Sequence, residues 1–182
     1  RTVTTVKAAK MDIFVLSGQS NMSGRGGVHG SHWDHFLPQE CKAHPSILRL
    51  NSHLHWEQAH VPLHADIDKH KVCGVGPGMI FANTILKHYK DPKKARIGLV
   101  PCAIGGTAIK EWEKDSTLYK NMITRTKAAL NHGGVLRAIL WYQGESDTES
   151  EKNANSYKHN LERLIHDIRS DLKHPDLLFI QV

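Results

Sequence analysis

The chain alternates between short apolar runs and longer segments in which apolar residues recur every three or four positions. The short runs have the length of buried strands, and the spaced segments have the period of helices that cover one side of a sheet. Strands are predicted over residues 11–17, 47–50, 95–101, 136–142 and 177–182. Helices are predicted over residues 78–89, 115–131 and 148–172. This order predicts the α/β class, with a parallel sheet between two helix layers.

Two parts of the chain lack periodicity. Residues 1–10 are polar and are expected to form a flexible lead. Residues 25–73 are rich in Gly, His and Pro and contain the single strand candidate 47–50. Long irregular insertions of this kind are usually functional or poorly ordered. Residues 11–182 are expected to form one domain, because their number suits a single buried core.

Three polar, glycine-bearing loops follow predicted strands. They are residues 17–22, 104–112 and 141–147. Open α/β sheets bind ligands at the carboxyl ends of their strands, so these loops are the candidate site. In the first loop, Gly18 breaks the strand at a sharp turn, which exposes the Ser20 hydroxyl and leaves its N–H free to face an oxyanion. A strand end with small polar residues is the alternative interpretation.

The three loops, in this order, resemble the first three sequence blocks of the SGNH hydrolases. The strings Gly-Gln-Ser-Asn-Met at residues 18–22 and Gln-Gly-Glu-Ser-Asp at 143–147 are similar to those of acetylesterases related to sialate O-acetylesterase and acetyl-xylan esterase. Residues 74–79 resemble plant members. The resemblance extends from about residue 11 to residue 182. It implies a three-layer α/β/α sandwich of flavodoxin-like type. It also implies an enzyme that removes O-acetyl groups from carbohydrate through an acetyl-serine intermediate, without a cofactor.

Ester hydrolysis by serine needs a nucleophile, a base, a group that orients the base, and donors to the oxyanion. The resemblance implies that Ser20 is the nucleophile. The N–H groups of Ser20 and of Gly106 or Gly105 are the candidate oxyanion donors, because glycine lets the backbone approach a substrate closely. A plain turn is the alternative for the glycines. Gln143 stands where many SGNH members carry asparagine, which implies that its side-chain amide is a further donor.

The remaining loop residues have less defined roles. Glu145 either orients the base or holds its loop together, and both alternatives stay open. Asn21 and Arg25 are expected to hold the first loop or line the pocket. Trp112 and Trp141 are expected to pack in the core, with substrate contact as the alternative for Trp112.

The family that the chain resembles takes its base from a block near the C-terminus. Family members carry an Asp-x-x-His block near the C-terminus, and Asp171 and His174 match it literally. However, these residues end a predicted helix and precede the last strand. We therefore expect them at the sheet edge opposite Ser20, and His174 to be a decoy. The catalytic histidine is then expected beyond Val182, in a C-terminally incomplete domain.

Two other functions are compatible with the sequence. One is a non-catalytic glycan-binding or ligand-binding domain on the same fold. The other is a metal-binding or ligand-binding module built on the His-rich residues 29–70. The chain has 14 histidines, but none forms the His-Glu-x-x-His pattern of a zinc helix, and a solvated His-rich loop is the simpler interpretation. No metal site is predicted.

Composition excludes several partners. The net charge is +6 and the pI is near 9.3, but Lys and Arg are scattered, which argues against a nucleic-acid partner. No apolar run approaches the roughly 20 residues of a membrane span. The three cysteines leave at least one unpaired, while Cys41 and Cys73 could pair. The predicted partner is an acetylated carbohydrate, and the sequence assigns no compartment or oligomeric state.

Overall fold

The computed structural model describes residues 10–131 and 133–182. Residues 1–9 of the predicted flexible lead lie outside these ranges. The strands, in chain order, are β1 (Asp12–Gly18), β2 (Val28–His29), β3 (His32–Trp33), β4 (Ile47–Leu50), β5 (Trp56–Gln58), β6 (Ile97–Pro101), β7 (Val135–Tyr142) and β8 (Leu178–Gln181). The α-helices are α1 (Ser20–Ser23), α2 (Pro77–Leu86), α3 (Thr117–Leu130) and α4 (Glu151–Asp171). Short 3-10 helices span Gln39–Cys41, Ile109–Trp112 and Glu145–Glu149.

Six of these strands form the central sheet, in the order β5-β4-β6-β1-β7-β8. The central strand β1 pairs in parallel with both β6 and β7. Gly18, at the carboxyl end of β1, lies opposite Tyr142 of β7, and Leu16 lies opposite Pro101 of β6. The three loops of the candidate site therefore leave the same edge of the sheet, which we call the carboxyl edge.

The sheet is covered by helices on both faces. In β1, Ile13 and Val15 point to one face, Phe14 and Leu16 point to the other, and all four are buried. The first face packs against α3 and α4, and the second packs against α2. This confirms the predicted α/β/α architecture. None of the helices in residues 10–131 and 133–182 is long and apolar enough to cross a membrane.

The segment predicted to be irregular, residues 25–73, contains more structure than expected. Besides the predicted strand β4, it contains β5, which pairs antiparallel with β4, and the small hairpin of β2 and β3. The sheet is therefore parallel except at this edge. The sequence of β5 is Trp-Glu-Gln, which is too short and too polar to show a period, and a salt bridge of 2.6 Å between Arg49 and Glu57 helps to hold it.

Strand β8 forms the opposite edge strand and pairs in parallel with β7. Because the two strands run in the same direction, His174 precedes β8 at the amino edge of the sheet, as predicted. Strand β1 has seven residues and spans roughly 23 Å, so His174 lies far from Ser20.

Asp171 has a structural role in this position. Its carboxylate accepts hydrogen bonds from the Tyr119 hydroxyl at 2.7 Å and from Lys114 Nζ at 2.8 Å. The hydrogen bond from Lys114, followed by that from Tyr119, lowers the pKa of Asp171. The carboxylate thus ties the end of α4 to α3 and the segment before it, and its hydrogen bonds go to these residues instead of His174.

Arg125 of α3 joins the carboxyl ends of β4 and β6. Its side chain is almost completely buried. The guanidinium donates to the carbonyl oxygens of Leu50 at 2.7 Å, Pro101 at 2.9 Å and Asn51 at 3.0 Å. Buried carbonyl groups need donors, and the fork of a guanidinium supplies several in fixed directions. This side chain therefore fixes α3 relative to the carboxyl edge.

We expect Arg125→Met to lower the free energy of unfolding by about 3 kcal/mol, because it removes three charge-assisted hydrogen bonds and leaves buried carbonyls without donors. Arg137→Met is the matched control, since Arg137 is exposed and forms one ion pair with Asp12 at 2.7 Å. The control should lose less than about 1 kcal/mol. Urea unfolding followed by circular dichroism measures both variants, and equal losses would contradict the role of Arg125.

Candidate active site

Ser20 is the first residue of α1 and follows the turn that ends β1. Gly18 has a φ of 126°, and a Cβ there would lie 2.2 Å from the Tyr142 carbonyl oxygen, so only glycine fits. The Gln19 N–H donates to the same carbonyl at 2.9 Å. Ser20 is half-buried, and neither its hydroxyl nor its N–H has a hydrogen-bond partner among the described residues. Both groups are therefore available to a substrate.

The first and third loops meet at the side chain of Gln19. Its Oε1 accepts hydrogen bonds from the N–H groups of Gly144 and Ser146, both at 3.3 Å, and from Gln143 Nε2 at 3.1 Å. Gln19 is buried, so these donors replace water. The loop after β7 is thereby fixed beside Ser20.

The second and third loops meet at Gln143. Besides Gln19, its Nε2 donates to Asp147 Oδ2 at 2.7 Å and to the Thr107 carbonyl at 2.9 Å. Buried Asp147 also accepts from the Ile109 N–H at 2.9 Å. An amide nitrogen carries two hydrogens, and here three acceptors surround it. Gln143 was predicted to donate to an oxyanion. To do so, its Nε2 must give up one of these three acceptors and form a hydrogen bond to the substrate oxygen in its place.

Asp68 joins the first loop to the second, and the sequence analysis did not identify it. Its side chain is 1% exposed, and its Oδ2 accepts from the Arg25 guanidinium at 2.7 Å, the Ser23 hydroxyl at 2.9 Å and the Gly105 N–H at 3.1 Å. Asp68 belongs to residues 25–73, where no period marks a buried carboxylate. Arg25 holds the first loop, in agreement with the role expected for it.

Of the two candidate glycines, only Gly106 keeps a free N–H among the described residues, because the N–H of Gly105 donates to Asp68. Gly106 has a φ of 78°, and no atom lies within 4 Å of where its Cβ would be. The backbone conformation therefore explains this glycine in the free protein, whereas close approach of a substrate was the reason expected from the sequence.

Asn21 and Glu145 form an exposed contact between the first and third loops. The Asn21 side-chain amide donates a short hydrogen bond to Glu145 Oε1. This contact supports the loop-holding alternative for Glu145. None of the described histidines is hydrogen-bonded to Glu145, as the alternative of orienting a base would require.

The described histidines do not assemble around Ser20. None is within hydrogen-bond distance of its hydroxyl. Within residues 10–131 and 133–182, no group of three or more His, Cys, Asp or Glu side chains is arranged to hold a metal ion. His64 is completely buried, and this burial lowers its pKa to about 4. His64 is therefore a neutral residue of the interior.

Other residues considered in the sequence analysis belong to the core. Trp112 and Trp141 are fully buried and meet edge to face, with ring centres 5.3 Å apart, so Trp112 is not exposed to substrate. Cys41, Cys73 and Cys102 are buried free thiols, so of the alternatives that the sequence left open, the unpaired state of Cys41 and Cys73 is the one in this structure. Burial raises the pKa of Cys102 to about 11, which keeps it a protonated, unreactive thiol.

A large cavity lies away from these loops. It has a volume of about 770 Å³ and is lined by the second half of α4 and by Pro175, at the amino edge. Ligands of open α/β sheets bind at the opposite edge. The three loops, and not this cavity, therefore form the candidate active site.

The sequence over residues 10–182 matches the family model described as SASA, carbohydrate esterase, sialic acid-specific acetylesterase. This chain belongs to the SASA family of carbohydrate esterases. It is 56% identical over 176 residues to a probable carbohydrate esterase of Arabidopsis thaliana, and the alignment covers 93% of this chain and 67% of that relative. The predicted class, a carbohydrate esterase related to sialate O-acetylesterase, is thereby confirmed.

Solved structures agree with this membership of the SASA family. An Arabidopsis thaliana protein solved by X-ray crystallography has a TM-score of 0.90 at 54% identity, covering 95% of this chain and 74% of that one. The structure of NanS has a TM-score of 0.73 at 21% identity, covering 97% and 68%, and so shares the fold. The predicted fold class is therefore confirmed.

His64 makes the stability of this SASA domain depend on pH. Burial lowers its pKa from 6.5 to about 4, against the opposing effects of a backbone hydrogen bond with Leu16 and the attraction of Asp68. The unfolded chain therefore binds a proton below about pH 6.5, whereas the folded chain binds it only near pH 4. The stabilisation is complete above pH 6.5 and is lost as the pH falls towards 4.

We expect the free energy of unfolding of the natural chain to fall when the pH is lowered from 7 to 4. This fall should be about 3 kcal/mol larger than in His64→Leu. Neither ring nitrogen of His64 has a partner at full hydrogen-bond geometry among the described residues, and the Leu16 backbone beside it raises its pKa, so leucine removes only this one weak contact. His70→Leu, at an exposed position, should keep the full pH dependence. Urea unfolding at several pH values tests this, and parallel pH curves for all three proteins would contradict it.

Proposed function

We propose that this domain removes O-acetyl groups from carbohydrate, with Ser20 as the nucleophile. The proposal rests on one observation: some hydrogen-bond donors at the carboxyl edge have a partner within the protein, and others have none. The N–H groups of Ser20 and Gly106 have no partner among the described residues, whereas Gln19 Oε1, the Gly105 N–H and Gln143 Nε2 form hydrogen bonds within the fold. Free donors beside an unbonded serine hydroxyl are what an oxyanion site requires.

The position of Gly106 supports this pairing with Ser20. On one side of Gly106, the Gly105 N–H and the Ser23 hydroxyl bind the same carboxylate oxygen. On the other side, the Thr107 carbonyl and the Gln19 side chain accept from the same amide nitrogen. Gly106 is thus held on both sides by residues that neighbour Ser20 in the first loop. Such rigid support is the condition for preorganised stabilisation of a transition state.

The reaction proceeds in two steps. Ser20 Oγ attacks the acetyl carbonyl carbon while its proton passes to a base, and the carbonyl oxygen, now negative, accepts hydrogen bonds from the N–H groups of Ser20 and Gly106. The bond between the carbonyl carbon and the sugar oxygen breaks, the sugar oxygen takes the proton, and acetyl-Ser20 remains. Water then attacks this ester, acetate leaves, and the serine hydroxyl is restored. No step requires a cofactor.

None of the described histidines is hydrogen-bonded to Ser20, and His174 lies at the amino edge. A serine site that lacks its base retains about 10³- to 10⁴-fold acceleration over water, from the oxyanion donors and binding. We therefore expect the 182-residue chain to react slowly at Ser20. The same observation favours a second candidate function, a glycan-binding domain that performs no hydrolysis.

A fluorophosphonate probe distinguishes the two functions. We expect slow modification of one residue, located by peptide mass spectrometry at Ser20, because the free N–H groups stabilise the negative oxygen on phosphorus. Ser20→Ala should not be modified, while Ser170→Ala and His174→Ala, both at the amino edge, should be modified like the natural chain. Modification of Ser20→Ala, or a rate no higher than in the heat-unfolded chain, would exclude Ser20 as the nucleophile.

Gly106→Ala tests the oxyanion donor. Alanine at a φ of 78° is strained, so the N–H of residue 106 is displaced. We expect modification of Ser20 to slow by about 100-fold, the usual effect of losing one such donor. Gly30→Ala is the matched control, because Gly30 has a φ of 61°, equally open surroundings and a position at the tip of the β2–β3 hairpin. Equal rates in the two variants would remove Gly106 from the mechanism.

A further inference from the structure

A second cavity opens at the carboxyl edge, beside the loop that contains Gly106. It has a volume of about 430 Å³, and we call it the α3 cleft. Its walls come from the first half of α3, the turn between β4 and β5, residues 66–69 and the segment after β6. The proposed reaction at Ser20 uses none of the side chains that line it.

Two contacts place the α3 cleft next to the strand that leads to Ser20. Ile104 lines the cleft, and its N–H donates at 3.1 Å to the carbonyl of Gly18, two residues before Ser20. Met122 also lines it, and its sulfur accepts a hydrogen bond from the Ser17 hydroxyl at 3.4 Å. The α3 cleft therefore borders the carboxyl end of β1, two residues before Ser20.

The lining of the cleft suits a sugar ring. Leu54, Leu118 and other apolar side chains give it carbon surface. The Ser52 and Thr124 hydroxyls and the Asn121 amide lie among them, without side-chain hydrogen-bond partners in the described part of the chain. Apolar walls with a few free polar groups are typical of small-molecule sites, and 430 Å³ lies within their usual size range.

The charges of the lining favour an acidic sugar. Asp66 and Glu57 share the buried guanidinium of Arg49, each at 2.6 Å, and Asp66 also accepts from the Ser52 N–H at 2.7 Å, so the two carboxylates are neutralised in part. Arg125 donates to backbone carbonyls, which leaves its positive charge uncompensated. Lys69 is exposed in the lining and forms no ion pair within residues 10–131 and 133–182. The local excess of positive charge attracts a carboxylate.

We propose that the α3 cleft binds a carboxylated sugar residue of the same glycan that presents its acetyl group to Ser20. The choice of a sugar as the ligand rests on the proposed function. Binding in the cleft can nevertheless be measured without ester hydrolysis. Lys69 contacts the carboxylate, and Asn121 and Thr124 bind hydroxyl groups of the ring. This subsite selects a glycan of at least two residues that contains an acidic sugar.

Titration of the ¹⁵N-labelled chain with methyl galacturonate glycoside and with methyl galactoside tests the site by NMR. We expect the acidic probe to shift the amide signals of residues 66–69 and 118–125 and to bind more than about fivefold more tightly than the neutral one. Lys69→Met should reduce this preference to less than about twofold. Lys71→Met, at an exposed position outside the lining, should leave it unchanged.

Asn121→Trp tests the cleft itself by filling it. Asn121 is exposed, so the larger side chain does not disrupt the core, and we expect the acidic probe to lose more than about tenfold in affinity. Lys120→Trp places the same side chain at an exposed position of α3 outside the lining and should bind normally. Equal affinity for both sugars, shifts confined to other regions, or normal binding by Asn121→Trp would each overturn the proposal.

Failure of this inference is distinguishable from failure of the proposed function. The small fluorophosphonate probe does not occupy the cleft, so Ser20 should be modified at the same rate in Asn121→Trp and in the natural chain. Modification of Ser20 without sugar binding in the cleft would overturn the subsite alone. Binding of the acidic sugar in the cleft with no modification of Ser20 would support the subsite and overturn the serine mechanism.

Discussion

The buried carboxylates of Asp68 and Asp147 are the constraint on which the arrangement of the carboxyl edge depends. A buried carboxylate is stable only where donors replace its lost hydration. Asp68 obtains its donors from the first and second loops, and Asp147 obtains them from the second and third. Since the donors to Asp68 Oδ2 and to Asp147 Oδ2 belong to different loops, these hydrogen bonds also fix the positions of the loops relative to one another.

This arrangement divides the polar groups at the edge into two sets. Gln19 Oε1, Gln143 Nε2 and the Gly105 N–H form hydrogen bonds within the fold. The Ser20 hydroxyl and the N–H groups of Ser20 and Gly106 are left for a ligand. Donors that are already oriented before substrate arrives need no reorganisation during the reaction, which is why rigid loops suit ester hydrolysis. The residues that support the site are therefore as informative as those that face the substrate.

Helix α3 links the sheet to the substrate side of the molecule. Its buried face supplies Arg125, which satisfies carbonyl groups at two strand ends, and Met122, which contacts Ser17 of β1. Its first turns also form one wall of the α3 cleft. The same helix thus stabilises the carboxyl edge and borders the space where a second sugar residue can lie. The turn between β4 and β5, which belongs to the segment first interpreted as irregular, completes the opposite wall.

The sequence by itself determined the alternation of strands and helices, the shared edge of the three loops and the place of Ser20 after Gly18. It also placed His174 at the other edge, because apolar periods are local and parallel strands carry their loops in one direction. Only the tertiary structure decided which polar groups form hydrogen bonds within the protein and which remain available to a ligand. Asp68 and Gly105 are 37 residues apart, and Gln19 and Gln143 are 124 apart. Partners at such separations leave no local pattern, so Asp68, the engagement of Gln143 and the short polar strand β5 became visible only once the chain was folded.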